Sequence, residues 1–492
     1  MVFSASRSGS RPARAGVVDI GSNSIRLVAF DVRARITLPL FNEKAICRLG
    51  ATLPETGELS PERVEVALAS LRRFRLLADG LGLDALYVLA TSAVRDAANG
   101  RAFVAAAEAI FEVPVMVLSG QEEARFAARG ALAGLPDADG VAGDLGGGSL
   151  ELAALAEGGV GEAVSLPLGP LRRPRDADDA RARKDVERQL AGIAWLDDLA
   201  GRTFVAVGGA WRALAHVQMA RSGHPLRMIH GYGLLRADAE SLVRQVVRSA
   251  PAALGRLPGV ARQRAPSLPY AALLLGEILA RGKPGEVCFS AYGLREGYLH
   301  TRLDLLDGED PLDAAIDWLT RSSEVAALLL EHLMAWTAPL FAGESGSQRR
   351  LRRAACRLSN LAWHEHPDYR GRQAFEAVLR GAVLPVRHVE RGFLALALLH
   401  RYGSRQAPEA NAIERLLPLQ LARRARVLGL ALRLAYRVSA GADPLLGSAR
   451  LEVDGGALRL RLPPELDAGD ALARDLQSLA RAADLEALGT AA

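Results

Sequence analysis

The chain has 492 residues, 61 Lys and Arg against 56 Asp and Glu for a formal charge of +5, and only three cysteines. That length exceeds what one core usually organises, so two to four domains are expected, and the mild basic excess permits a polyanionic ligand without demanding one. Cys47, Cys288 and Cys356 stand far apart with no Cys-x-x-Cys spacing, which argues against a disulfide framework or a zinc site and predicts buried thiols.

MVFSASRSGSRPARA (1–15) is basic and lacks a signal peptide's apolar core, so it reads as a disordered start to a cytoplasmic protein. Apolar runs such as VAALLL (325–330) fall far short of the roughly 20 residues of a membrane span, so no membrane partner is expected. GVVDIGSNSIRLVAFDV (16–32) reads as two strands joined by a short polar turn, a hairpin. An offset of about 125 residues lays DIGSNSIRL (19–27) over DLGGGSLEL (144–152), with Asp, Gly, Ser and Leu coinciding. Matching polar as well as apolar positions mark an internal repeat, hence two related lobes.

Between the repeats, a helix opens at Ser60-Pro61-Glu62, a strand runs over LYVLATS (86–92), a helix ends near Phe111, a strand covers VPVMVLSG (113–120) and a helix covers Glu122 to Leu132. After the second hairpin come a helix around 181–199, a buried strand TFVAVGG (203–209), a helix from near Trp211 and a last strand EVCFSA (286–291). This alternation predicts α/β lobes over 16–134 and 135–303. DLLDGEDPL supplies a linker over 304–312, and 313–492 reads as a mainly helical C-terminal domain ending in a β-hairpin, ARLEVDGGALRLRL (449–462).

Three glycines in a row belong where the backbone takes positive φ or closely approaches something. Gly146, Gly147 and Gly148 can aim backbone N–H groups at one point, Ser149 adds a hydroxyl, and Gly21, Ser22, Asn23 and Ser24 can do likewise; such concave turns suit phosphate. Asp19 and Asp144 end their strands just before these turns, and Glu151 shares a strand face with Ser149. Carboxylates beside phosphates call for a cation, and Mg²⁺, with Mn²⁺ as the alternative, fits oxygen donors of this kind. Gly208 and Gly209, between a buried strand and a helix, offer further N–H groups, or merely allow close packing.

The two hairpins, ATSAVRDAANG (90–100), LSGQEEARFAARGAL (118–132), AVGGAWRALA (206–215) and YGLREGYL (292–299) together resemble the exopolyphosphatase and guanosine pentaphosphate phosphatase family, within the sugar kinase, heat-shock protein and actin fold group. The resemblance spans about residues 16–303. It implies two ribonuclease H-like, actin-type lobes whose cleft uses Mg²⁺ to hydrolyse terminal phosphate from inorganic polyphosphate, or from guanosine pentaphosphate, the nucleotide of the stringent response. A homodimer is expected, and no nucleic acid is required. Ser119 and Glu122 form a capping box that occupies Glu122. The residues alone leave the general base open between Glu122 and Glu123; the resemblance assigns it to Glu123, and assigns a phosphate-contacting arginine to Arg95. Relatives usually carry a hydroxyl where Ala210 stands, which puts ligand contact at Gly208 and Gly209 in doubt. Arg295 and Glu296 are expected to pair with each other. An ATP-dependent kinase of the same fold and a sensor without turnover are the alternatives from other classes.

The C-terminal domain resembles the HD-type phosphohydrolase fold. His364, His366 and Asp368 lie close in sequence, but Asn360 stands where an acid is expected, so a remnant is predicted rather than a metal site. Arginines at 349, 350, 352, 353 and 357, and at 423, 424 and 426, read as solvated helix faces or as a track for a polyanion.

Overall fold

The computed structural model describes residues 12–33, 36–173, 179–305, 310–321, 325–382, 384–403, 407–466 and 469–491. The expectation of disorder over 1–11 lies outside them; Arg14 and Ala15, also assigned to that start, are instead the first residues of a strand. The chain divides into two compact units, one up to Pro311 and one from Leu312.

In the first unit, β1 (Arg14–Ile20), β2 (Ile25–Asp31), β3 (Leu38–Ala45), β4 (Ala85–Ala90) and β5 (Val115–Val117) form a sheet in the order β3-β2-β1-β4-β5. A second sheet, of β6 (Gly140–Leu145), β7 (Leu150–Ala156), β8 (Gly159–Leu166), β9 (Thr203–Val207), β10 (Tyr232–Leu235) and β11 (Glu286–Phe289), runs β10-β11-β9-β6-β7-β8. Each sheet begins with an antiparallel meander whose first strand then pairs with a parallel one, β1 with β4 and β6 with β9. The sequence repeat is therefore a repeat of topology: two actin-like α/β lobes. Sequence patterning misses β3, β8 and β10, all edge strands: half-exposed residues blur the alternation of β3 and β8, and β10 is only four residues long.

The lobes exchange a helix, so neither is one uninterrupted run of chain. Ala124, Ala128 and Ala131 of the Gly120–Gly134 helix pack with Ala142, Val205 and Cys288 of the second sheet. Leu294, Tyr298 and Leu299 of the Leu294–Leu303 helix pack with Val17, Val28 and Leu89 of the first. The two helices meet backbone to backbone, because a Cβ on Gly297 would lie 1.8 Å from the Phe126 carbonyl oxygen and one on Gly130 2.0 Å from that of Gly293. All three cysteines are buried thiols.

The second unit is helical, with a small sheet of β12 (Arg450–Asp454), β13 (Ala457–Arg461) and β14 (Glu486–Ala491). The expected terminal hairpin is β12–β13, but it does not end the chain: the Gly469–Ala483 helix follows and returns β14 parallel to β13. The arginine track is not borne out at most of its positions, since the unit's own acids and carbonyls hold these side chains. Arg352, 4% exposed, donates to Glu344, the Met334 carbonyl and Thr337. Arg353 and Arg357 pair with Asp313, Arg424 with Glu344 and Arg423 with Asp484.

Candidate active site

The β1–β2 and β6–β7 turns are the same turn made twice. Gly21 N–H donates to the Ser24 carbonyl at 3.2 Å, and Gly146 N–H to the Ser149 carbonyl at 3.0 Å. The residues flanking them pair in equivalent registers, Asp19 with Arg26 and Asp144 with Glu151. None of Gly146, Gly147 and Gly148 takes a positive φ. Close approach is what demands the last two: a Cβ on Gly148 would come within 2.7 Å of Ser92 Oγ and 2.8 Å of Ser22 Oγ, and one on Gly147 within 3.3 Å of Asn23. The turns thus meet across a cleft of ≈ 640 Å³ lined by Gly21, Ser22, Asn23, Ser24, Gly146, Gly147 and Ser149.

The capping box at the head of the Gly120–Gly134 helix forms as expected. Ser119 N–H and Oγ both reach Glu122, at 2.8 and 2.7 Å, and Ser119 Oγ accepts from Glu122 N–H at 3.3 Å. Glu123, one step around the helix, turns inward to 7% exposure and lines the cleft. Arg95 Nη1 lies 3.3 Å from its carboxylate, while Arg95 Nε donates to Asp96 at 3.1 Å. Burial, and then the nearby Glu151, hold the Glu123 carboxyl well above the usual range against the pull of Arg95. Such a carboxylate is a stronger base than an exposed one.

Asp19 and Asp144 both line the cleft, and burial is the main cause that raises each; Asp19 lifts Asp144 further, to about 6, while Arg295 and Arg26 pull Asp19 down. Glu151 is pushed to about 7, chiefly by burial, with one oxygen accepting from Ser165 Oγ at 2.7 Å and the other, buried, without a hydrogen bond. Asp19, Asp144 and Glu151 are the three acids expected to hold a metal ion. Among the described residues no three such side chains gather closely enough to hold an ion, because Glu151 is drawn toward Ser165 and Asp19 faces Arg295 at 3.5 Å. Asp19 and Asp144 still supply two hard oxygen donors to one cleft, a set suited to Mg²⁺ completed by water and phosphate oxygens.

The cleft's cations went unrecognised in the sequence. Arg26, Lys44, Arg48, Arg173, Arg212, Arg264 and Arg295 line it against the acids Asp19, Glu123 and Asp144. Burial, then neighbouring cations, lower Arg26 and Arg212 to about 10 and Lys44 to about 8. The repeat held one clue, for Arg26 occupies in the first hairpin the place of Glu151 in the second. The others come from separate elements and meet only in the fold. Arg295 pairs with Asp19 and not with Glu296, whose carboxylate accepts the Gly293 N–H at 2.9 Å as a helix cap. Gly208 lines the cleft at φ 100°, and the Arg264 guanidinium occupies the space a Cβ on Gly209 would take, 1.8 Å from its Nη1.

Comparison with known proteins places this arrangement. The profile described as the Ppx/GppA phosphatase family matches residues 28–306. The chain belongs to that family. A second profile, exopolyphosphatase, C-terminal, matches residues 316–487. Exopolyphosphatase 1 of Mycobacterium tuberculosis is 28% identical over 320 residues, covering 59% of this chain and 88% of that protein. Retrograde regulation protein 2 of Saccharomyces cerevisiae is 26% identical over 449 residues, covering 80% and 74%. An exopolyphosphatase crystal structure from Cytophaga hutchinsonii shares the fold at TM-score 0.54 and 24% identity, covering 60% of this chain and all (100%) of that one. The Aquifex aeolicus Ppx/GppA family member does so at 0.51 and 24%, covering 59% and 97%.

In this family member's second unit, His366 and Asp368 are exposed and 3.7 Å apart, and they join no metal-binding group among the described residues. Asn360 is buried, as is Ser359, whose hydroxyl meets Tyr436 at 2.9 Å.

Proposed function

We propose that this Ppx/GppA family member is an exopolyphosphatase that hydrolyses the terminal phosphate of inorganic polyphosphate. The observation that carries the reading is the cleft's excess of buried, mutually repelling cations beside one basic carboxylate. A condensed polyanion relieves that repulsion along its length. A nucleoside would want a stacking platform, and the one aromatic side chain among the described residues lining the cleft, Tyr270, already carries the Arg173 guanidinium 5.5 Å from its ring centroid. The names of the mycobacterial relatives agree with polyphosphate.

In this reading Glu123 takes a proton from water, and the water oxygen attacks the terminal phosphorus. The bridging P–O bond breaks, its electron pair stays on the shortened chain, and orthophosphate is left beside Glu123, whose proton returns to solvent. Arg95 steadies the charge on the transferred group, and the two turns, with Ser22, Ser24, Ser149 and backbone N–H groups, hold adjacent phosphates. Asp19 and Asp144 would hold Mg²⁺, or Mn²⁺, with Glu151 behind them; when bound, the ion neutralises phosphate oxygens. Most of the rate then comes from positioning and charge stabilisation. Three buried thiols suit a reducing cytoplasm.

Phosphate release from long polyphosphate and from guanosine pentaphosphate, assayed side by side with Mg²⁺, tests the reading. Preference for polyphosphate is expected. Preference for the nucleotide would move the substrate, and binding without release from either would make the chain a sensor.

A further inference from the structure

A second cavity, of ≈ 430 Å³, opens between the lobes behind the reacting carboxylate. Ser149 lines both cavities, Glu123 faces the main cleft and Arg95 the second cavity, so the 3.3 Å contact between Arg95 and Glu123 forms the partition. Around the second cavity stand Arg172, Ser119, Gln121 and Ser165, with Gly120 at the start of the Gly120–Gly134 helix, where backbone N–H groups favour an anion. Ser149 is buried beside the Glu151 carboxyl, whose pKa it lowers. Asp96, which also lines the cavity, is engaged by both Arg95 and Arg172. At the rim Gln121 is exposed, and the Arg172 and Asp96 side chains are 29% and 32% exposed.

We propose that this cavity is the exit for orthophosphate. The inference rests on the exopolyphosphatase reading and adds a direction to it. After each cut, orthophosphate lies between Glu123 and the new end of the chain, and leaving through the main cleft would require the chain to withdraw. Leaving past Arg95 and Arg172 lets the chain stay on the cleft's cations and advance by one unit. Two arginines partly offset by Asp96 make a site weak enough to let the product go, as an exit must.

The test uses Gln121→Trp, which narrows the rim from an exposed position, and Arg172→Gln. With tripolyphosphate, rapid quench reports bond cleavage and a phosphate sensor reports free orthophosphate. Both variants should cleave the first bond within about twofold of wild type. Gln121→Trp should release orthophosphate at least fivefold more slowly, and Arg172→Gln should need at least fivefold more added inorganic phosphate for half inhibition. Release and inhibition like wild type, or cleavage falling in step with release, would overturn the exit. If wild type releases nothing from polyphosphate, the functional reading fails on its own. Calorimetric binding of inorganic phosphate then judges the site: weaker binding to Arg172→Gln supports it, and equal binding overturns it.

Discussion

Lys44 is a lysine held near the edge of losing its charge. Burial, then Arg264, Arg26, Arg212 and Arg295, bring it to about 8, so above that pH the cleft loses one cation. Affinity for polyphosphate should therefore fall as pH rises through 8 and beyond, since a bound anion lifts the value further. The loss should be about tenfold, the worth of one charge-assisted hydrogen bond of roughly 1.5 kcal/mol, and Lys44→Met should be weaker at pH 7, flat over that limb and approached by wild type at its alkaline end. KM measured from pH 7 to 10 for both proteins checks this. Asp144, beside Asp19 in the cleft, leads to a second expectation. Excess chelator should abolish phosphate release, and Asp144→Asn should raise the Mg²⁺ needed for half-maximal activity, read from a metal titration.

At the scale of elements, the exchanged helices align the site. One carries Glu123 and the other Arg295, and they meet at Gly130 and Gly297 with no room for a Cβ. Gly297→Ala should destabilise the first unit by about 1–3 kcal/mol or more, because backbone and not a flexible side chain must yield. A denaturant titration reads this, and unchanged stability would mean the helices can separate freely. The paired hairpins and the capping box were legible because each is local: the residues that make a tight turn or a helix cap lie within a few positions of one another. The helix exchange was not, since nothing in SGQEEAR says which sheet its far face will meet. The cation cluster escaped for the same reason, with Lys44 on an edge strand and Arg212, Arg264 and Arg295 on three helices. The arginines of the second unit erred the other way, for their density suggested a track while Asp313 lies remote in sequence from Arg353, Glu344 from Arg424 and Asp484 from Arg423.

For the molecule as a whole, acid should weaken both units. His300 in the first and His400 in the second are lowered to about 4, each chiefly by burial and His400 further by Arg426. Unfolded, each titrates near 6.5, so the unfolded chain binds more protons between 6.5 and 4, and stability is lost as pH falls through that window. The loss is at most about 3 kcal/mol per histidine. Melting curves from pH 7 to 4 should show it, and His300→Leu should flatten the slope for the first unit. The central claim, however, concerns neighbouring glutamates given different work by one residue's step around a helix. Steady-state phosphate release from long polyphosphate with Mg²⁺, measured in parallel for wild type, Glu123→Gln and Glu122→Gln, tests it most directly. Glu123→Gln should lower kcat by about two to four orders of magnitude, while Glu122→Gln, still able to complete the capping box, should leave it nearly unchanged. Equal losses from the two substitutions, or full activity in Glu123→Gln, would contradict the account.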